Sequence, residues 1–151
     1  MSMIFPYKRF VGAYAIWPLH GRTERPRPTI DVTVMGSTGT SVELGLLDTG
    51  ADDTVFPESL AAQLGIDLTN APVRGGSGVG QVAAPIRYAE VTLRVTDGRE
   101  FREWRARVGF TSAPLKRALL GFAGFLQFFT ATFHGDREEV ELSVNSLYPG
   151  S

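Results

Sequence analysis

Apolar and polar residues alternate along much of the chain, in the pattern of half-buried β-strands. The runs that show this pattern are residues 30–35, 41–47, 86–95, 101–110, 130–133 and 140–144. Turn-forming residues separate them in pairs: Gly36–Thr40 lies between the first two, Asp97-Gly98 between the next two, and His134–Asp136 between the last two. Because a short turn joins each pair, we predict three β-hairpins.

Shorter segments predict one more strand and two brief helices. Pro57 can open a helix over residues 58–64, which Gly65 would end. Residues 118–120 are a candidate buried strand. The apolar stretch 122–129 is a candidate helix of about two turns. Many short strands with few helices predict a mainly β, barrel-like fold.

The start of the chain has no clear period. Residues 1–28 combine proline, aromatic residues and arginine, so we expect an extended arm there. We therefore divide the chain into an N-terminal arm at 1–26, extended or similar to a pro-segment, and one domain at 27–151. The length of 151 residues and the hydrophobic fraction of 43% are sufficient for one buried core.

Composition excludes several classes of function. The chain has no cysteine and only two histidines, His20 and His134, which are far apart, so thiol nucleophiles and His or Cys metal clusters are not expected. A net charge of −1 argues against nucleic acid as a partner, and the apolar run Phe10–Leu19 is too short to span a membrane. We expect no metal, no cofactor and no membrane partner. Since no signal peptide is evident, we expect a soluble, cytoplasmic protein.

One stretch, LLDTGADDTV at residues 46–55, is the most informative. Asp48 directly follows an apolar strand, so its carboxylate should lie partly desolvated where a sheet edge meets a loop. Thr49 adds a hydroxyl, and Gly50 permits a close backbone approach and a positive φ. The surrounding residues 29–70 contain seven acidic residues and no basic one. On this evidence alone, Asp48 is either a catalytic carboxylate or a turn residue at a strand end.

Over residues 27–134 the sequence resembles the retropepsin-like aspartic proteases. Four motifs in the family's order carry the resemblance: Arg27-Pro28 before the first strand, LLDTGADDTV at 46–55, the Gly-rich segment 75–80 where the flap would be, and Leu119-Leu120-Gly121. The resemblance implies a closed, barrel-like acid protease fold with a Gly-rich flap hairpin and a short C-terminal helix.

The function implied by this resemblance is that of a homodimeric aspartic endopeptidase. Asp-Thr-Gly occurs once in the chain, so Asp48 would need the Asp48 of a second copy, with the active site on the two-fold axis. Two carboxylates that share a proton can activate a water for attack on a peptide bond. The Thr49 hydroxyl would hydrogen-bond across the axis. Because like charges repel, one pKa of the pair should be raised, which predicts an acidic pH optimum.

The resemblance also implies a groove that binds a peptide or protein substrate. Its residues would be Ala51, Asp52, Asp53, Gly76, Ser77, Gly78 and Val79. Asp52 and Asp53 either bind the peptide backbone or cap their own loop. Residues 75–80 are either a flap that closes on the substrate or an ordinary exposed hairpin loop.

Two departures from the family pattern bear on these expectations. Phe122 stands where relatives commonly have an arginine that pairs with the acid matching Asp52. Arg27 stands where some relatives reach the corresponding acid of the other subunit, so we expect an Arg27–Asp52 pair across the dimer. Residues 135–151 extend beyond the retroviral enzymes and should form a hairpin with the preceding strand. The alternative function is a non-catalytic, dimeric peptide-binding or interaction module on the same fold.

Overall fold

The chain is mainly β. A computed structural model describes residues 2–75 and 84–150. Its strands are β1 (Met3–Pro6), β2 (Lys8–Ile16), β3 (Arg22–Arg27), β4 (Thr29–Met35), β5 (Thr40–Leu47), β6 (Val55–Pro57), β7 (Val73–Arg74), β8 (Ile86–Thr96), β9 (Phe101–Thr111), β10 (Ala118–Leu120), β11 (Phe129–His134) and β12 (Glu139–Val144). Its helices are α1 (Glu58–Gln63) and two 3-10 helices, Trp17–Leu19 and Leu126–Phe128. None of the helices in the described ranges is long and apolar enough to cross a membrane.

Six strands close into a barrel. They pair in the order β4-β5-β10-β6-β9-β8, and β8 pairs again with β4, which completes the ring. The β4–β5 and β8–β9 pairs are the predicted antiparallel hairpins, whereas β10 runs parallel to β5 and β6 runs parallel to β9. The predicted mainly β, closed-barrel fold is therefore confirmed.

The alternating residues that predicted the strands fill the barrel core. One face is buried and the opposite face is partly exposed along β4, in the second half of β8 and in the first part of β9, whereas the end of β9 is buried on both faces. The buried residues of β4 and β8 are Ile30, Val32, Val34, Val91, Leu93 and Val95. Because burying each such side chain contributes about 1.5–3 kcal/mol, this alternation fixes the register of the strands.

Helix α1 confirms the prediction made from its flanking residues. Pro57 precedes it in an extended conformation, and the helix ends at Gln63. Gly65 follows with φ +72, and a Cβ at that position would overlap the side chain of Thr38. Only glycine fits this turn without strain.

The two ends of the chain form a second, three-stranded sheet with the order β1-β12-β11. The β11–β12 hairpin is the one predicted for the C-terminal extension. Strand β1 pairs with β12, and its side chains Met3 and Phe5 are buried in the main core. The other residues before position 27 form mainly the β2–β3 hairpin. The division of the chain after residue 26 stays a prediction.

The helix expected over residues 122–129 is reduced to the single 3-10 turn Leu126–Phe128. Gly124 has φ +89, and its carbonyl accepts a hydrogen bond from Trp104 Nε1 at 3.0 Å, so the backbone turns away before a helix can form. Phe125 and Phe129 pack edge-on against the Trp104 ring, each at 5.3 Å between centroids. Tertiary packing of the aromatic rings therefore overrides the helical spacing of the sequence.

Candidate active site

Asp48 lies directly after the last residue of β5, where that strand meets β10. Leu47 and Leu120 are paired in the parallel β5–β10 ladder, and both are buried. The ladder continues one step further, because the Asp48 N–H donates to Leu120 O at 3.1 Å. The backbone of Asp48 is therefore fixed to the barrel, while its half-buried side chain reaches the surface.

The loop that begins at Asp48 orients its own carboxylate. The Gly50 N–H donates to Asp48 Oδ1 at 2.9 Å, and the Ala51 N–H donates to Asp48 O at 3.2 Å. Thr49 and Gly50 are exposed. A backbone N–H on one oxygen fixes the plane of the carboxylate. The arrangement is therefore a surface loop that presents an oriented carboxylate.

Gly50 does not use the positive φ that a glycine permits. Among the described glycines, positive φ values occur at Gly21, Gly65, Gly98 and Gly124. The turn at Gly50 is made instead by the backbone hydrogen bond between Asp48 and Ala51. A Cβ at Gly50 would lie 3.3 Å from Asp48 Oδ1, so close approach to the carboxylate is what favours glycine here.

The backbone of residues 121–123 supports the other side of the loop. The Phe122 N–H donates to Ala51 O at 2.9 Å, and the Ala123 N–H donates to Asp52 O at 2.8 Å. A Cβ at Gly121 would lie 2.6 Å from Ala51 O. The glycine of Leu119-Leu120-Gly121 is therefore required because the loop that carries Asp48 crosses directly over it.

Thr54 fixes the end of the loop. Its side chain is fully buried, and its hydroxyl donates to Ala123 O at 2.9 Å. Its backbone N–H reaches the same oxygen at 3.2 Å, and its carbonyl accepts from the Gly109 N–H at 2.8 Å. The loop from Asp48 to Thr54 is thus held by the barrel at both ends.

The two acidic residues after Ala51 lie in different surroundings. Asp52 is exposed. The side chain of Asp53 is only 18% exposed, and its Oδ2 accepts from Arg74 Nη2 at 2.7 Å and from the Tyr88 hydroxyl at 2.9 Å. Arg74 Nε also donates to the Tyr88 hydroxyl at 3.0 Å. Across residues 2–75 and 84–150, no three histidine, aspartate or glutamate side chains form a group that could hold a metal ion.

Arg74 and Tyr88 are the site residues that sequence reasoning missed. The hydrogen bond with Tyr88 raises the pKa of the Arg74 guanidinium, and burial raises the pKa of the Tyr88 hydroxyl. Near neutral pH, Arg74 is therefore charged and Tyr88 protonated. The pairing of β7 with β8 brings the two together, and that pairing was not part of the sequence pattern.

The predicted flap residues lie outside the described part of the chain. They are Gly76, Ser77, Gly78 and Val79. The strands on either side are described: Val73 pairs with Arg87, and Arg74 pairs with Ile86, in an antiparallel register. The role of the four residues in substrate binding stays a prediction.

The residues expected to matter for a dimer are at the surface or lack a partner. Phe122 is 60% exposed beside the loop that carries Asp52. Arg27, on β3, has a buried Nε atom with no hydrogen-bond partner among the described residues. The Arg27–Asp52 pair across a dimer stays a prediction.

Comparison with known proteins identifies the family. The family model described as aspartyl protease matches residues 30–122, a range that contains Asp48 and Gly121. No curated protein matches the chain. A solved structure of a retropepsin-like aspartic protease from Rickettsia conorii superposes with a TM-score of 0.54 and 21% identity, covering 94% of this chain and 89% of that one. An EIAV protease complexed with the inhibitor HBY-793 gives a TM-score of 0.38 and 24% identity, covering 63% of this chain and 81% of that one.

The matched range coincides with the part of the barrel that builds the Asp48 loop. It begins in β4, includes the whole loop from Asp48 to Thr54, and ends at Phe122, just beyond the glycine over which that loop crosses. The resemblance seen in the sequence motifs is thereby confirmed. The chain belongs to the aspartyl protease family and has the retropepsin-like fold.

Proposed function

We propose that this chain is a homodimeric aspartic endopeptidase, in which the Asp48 carboxylates of two copies activate one water. The observation that carries the proposal is the position of the single Asp-Thr-Gly loop. It lies at the barrel surface, with Thr49 and Gly50 exposed and the Asp48 carboxylate oriented by the Gly50 N–H. A second copy can therefore approach the loop without unfolding either barrel.

The chemistry requires two carboxylates that share one proton. The ionised carboxylate removes a proton from the water, whose oxygen attacks the carbonyl carbon of the peptide bond. The protonated carboxylate gives its proton to the carbonyl oxygen, so a neutral tetrahedral intermediate forms. When the carbon–nitrogen bond breaks, the carboxyl group that took the water proton gives it to the leaving nitrogen. The other carboxylate takes a proton from a hydroxyl of the intermediate, so that a carboxylic acid and an amine leave and the pair again shares one proton.

The substrate would be an extended peptide lying along the loop. Ala51, which is half-buried, and Asp52, which is exposed, follow the catalytic aspartate in this loop. Residues 76–79, which lie outside the described part of the chain, are proposed to bind the same peptide. We expect the Thr49 hydroxyl, which is exposed in the single chain, to hydrogen-bond across the two-fold axis and lock the two loops together.

Cleavage of a denatured protein mixture at about pH 5, where one acid of such a pair stays protonated, tests the proposal. The Asp48→Asn variant should lose at least about a hundredfold in rate, since it removes the general base. The Asp136→Asn variant, in an exposed turn, is the matched control and should cleave at the wild-type rate. A statine-type transition-state analogue should inhibit wild type. Cleavage that survives Asp48→Asn would contradict the proposal.

The exposed Phe122 is the observation that favours the second candidate, a non-catalytic peptide-binding module on the same fold. Without an arginine at this position, the loop lacks the partner that relatives commonly supply to the acid at Asp52. The same experiment separates the two functions. If wild type and Asp48→Asn both bind peptides and neither cleaves them, the result would support the module.

A further inference from the structure

An open cavity of about 260 Å³ is lined in part by Asp53, which belongs to the loop that carries Asp48. The residues that give it polar character are Asp53, Tyr88, Arg105, Arg107, Gly124 and Gln127. Of these residues, only Asp53 was expected in the substrate groove. Its hydrogen-bonding groups show which ligand it would accept, because the donors and acceptors that line it are not equally occupied.

Most acceptors in the cavity already have donors. Asp53 Oδ2 is occupied by the Arg74 and Tyr88 donors described above. Gln127 Oε1 accepts from the Gly124 N–H at 2.7 Å. Gly124 O accepts from the Trp104 ring nitrogen. A ligand that offers donors would therefore find few acceptors here.

The donors, in contrast, are not fully used. Arg105 Nη2 forms an ion pair with Glu90 at 3.3 Å. Arg107 lies directly opposite Glu90 in the β8–β9 register, yet no ion pair among residues 2–75 and 84–150 includes it. Because the Gln127 oxygen is occupied, its amide NH₂ is left to donate. Of the two arginines, only Arg105 is paired with Glu90.

The charge of the cavity follows from these pairs. Asp53 is compensated by Arg74 at 2.7 Å, and Arg105 is compensated by Glu90. Arg107 remains as one positive charge without a paired carboxylate in the described chain. An anion with several acceptor oxygens complements both this charge and the free amide donor.

An extended substrate is long enough to reach from the proposed catalytic centre to this cavity. The Asp48 N–H bonds to Leu120 O, and Asp53 forms a parallel bridge with Ala123. The two positions are three residues apart along the 120–123 segment, which spans at most about 10 Å. An extended peptide covers the same distance in about three residues.

We propose that this cavity binds the carboxylate of a glutamate or aspartate side chain in the substrate, within three residues of the cleaved bond, with Arg107 as the specificity-determining residue. This inference rests on the proposed function, because it places the acidic side chain in a peptide that the enzyme cleaves. Binding of the acidic side chain itself does not depend on catalysis, so it can be measured separately.

The test is equilibrium binding to the Asp48→Asn protein, which retains the cavity. Fluorescein-labelled octapeptide pools, neutral at all other positions, carry Glu, Gln or Lys at one fixed position that is scanned along the peptide. At one position near the centre, the Glu pool should bind about tenfold more tightly than the Gln pool, as expected for one charge-assisted pair. Equal affinity for Glu and Gln at every position, or tighter binding of Lys, overturns the inference.

Variants of Arg107 show whether this residue is responsible. Adding Arg107→Gln should bring the Glu-to-Gln affinity ratio to about one, whereas Arg107→Lys should keep part of the preference because it keeps the charge. Arg102→Gln is the matched control: Arg102 lies on the same strand, donates to Phe101 O and does not line the cavity. It should leave the tenfold ratio unchanged. A ratio that persists in Arg107→Gln overturns the assignment.

Cleavage kinetics separate this inference from the proposed function. In the wild-type enzyme, the Glu substrate should have the lower KM and a similar kcat, because the cavity is remote from the reacting bond. A wild-type protein that cleaves no peptide refutes the protease, while its binding ratio still decides the cavity. An enzyme that cleaves Glu and Gln substrates with equal KM refutes the cavity alone.

Discussion

Substitution of Gly121 by alanine should displace the loop that carries the catalytic aspartate. A Cβ at this position would lie 2.6 Å from Ala51 O and would also overlap Asp53 O. Both atoms belong to backbone, so neither can rotate away. Overpacking of this kind costs about 1–3 kcal/mol. The two hydrogen bonds from residues 122 and 123 to the loop add about 0.5–1.5 kcal/mol each if they are lost.

The expected loss is therefore about 2–6 kcal/mol of the free energy of unfolding, a large part of a typical total of about 5–15 kcal/mol. Urea unfolding followed by tryptophan fluorescence measures it. A loop that moves by even an ångström should also lower kcat/KM by about a hundredfold.

The control for this prediction is Gly135→Ala. Gly135 lies in an exposed turn with an ordinary φ, and an added Cβ would meet no atom within 4 Å, so the change should stay within about 0.5 kcal/mol. A Gly121→Ala protein that unfolds at the wild-type urea concentration and keeps full activity would refute the reasoning.

Two further predictions concern ionised groups. Burial alone would raise the pKa of Asp97, but hydrogen bonds from the backbone N–H groups of its own turn and of Ile4 lower it well below the ordinary 3.8. Its stabilisation is therefore complete above that value and is lost as the pH falls through the folded-state pKa. When urea unfolding is measured at decreasing pH, the free energy of unfolding should fall less in Asp97→Asn than in wild type. An equal fall in the two proteins would contradict this. Arg74→Met should lower the free energy of unfolding by about 1 kcal/mol at low salt and by less at high salt, because the ion pair with Asp53 is partly exposed. An effect that does not depend on salt would exclude an ionic cause.

Strands β4 and β8 could be predicted from the sequence because each is buried mainly on one face. In β4 and β8 the alternation of apolar and polar residues records this directly. The turn between β8 and β9 was also evident, since Gly98 has φ +91, a conformation that favours glycine. Local patterns of this kind need no knowledge of distant residues.

Other features depend on contacts between distant parts of the chain. The segment 122–129 has helical spacing, but its aromatic rings pack against Trp104 and the backbone follows that packing. The contacts of Asp53 with Arg74 and Tyr88 depend on how β7 and β8 pair and on where the barrel places them. Sequence spacing contains neither fact. The motif at 46–55 located the loop, but not the groups that surround it.

The requirement for two Asp48 carboxylates at one active site can be measured directly by mixing subunits. Wild type and Asp48→Asn are combined in varied ratios at constant total protein, allowed to exchange, and assayed with a fluorogenic peptide. If both carboxylates are needed, activity falls with the square of the wild-type fraction, to about a quarter at an equal mixture. Activity that falls in direct proportion to the wild-type fraction, to about half at an equal mixture, would mean that one chain is sufficient and would contradict the account.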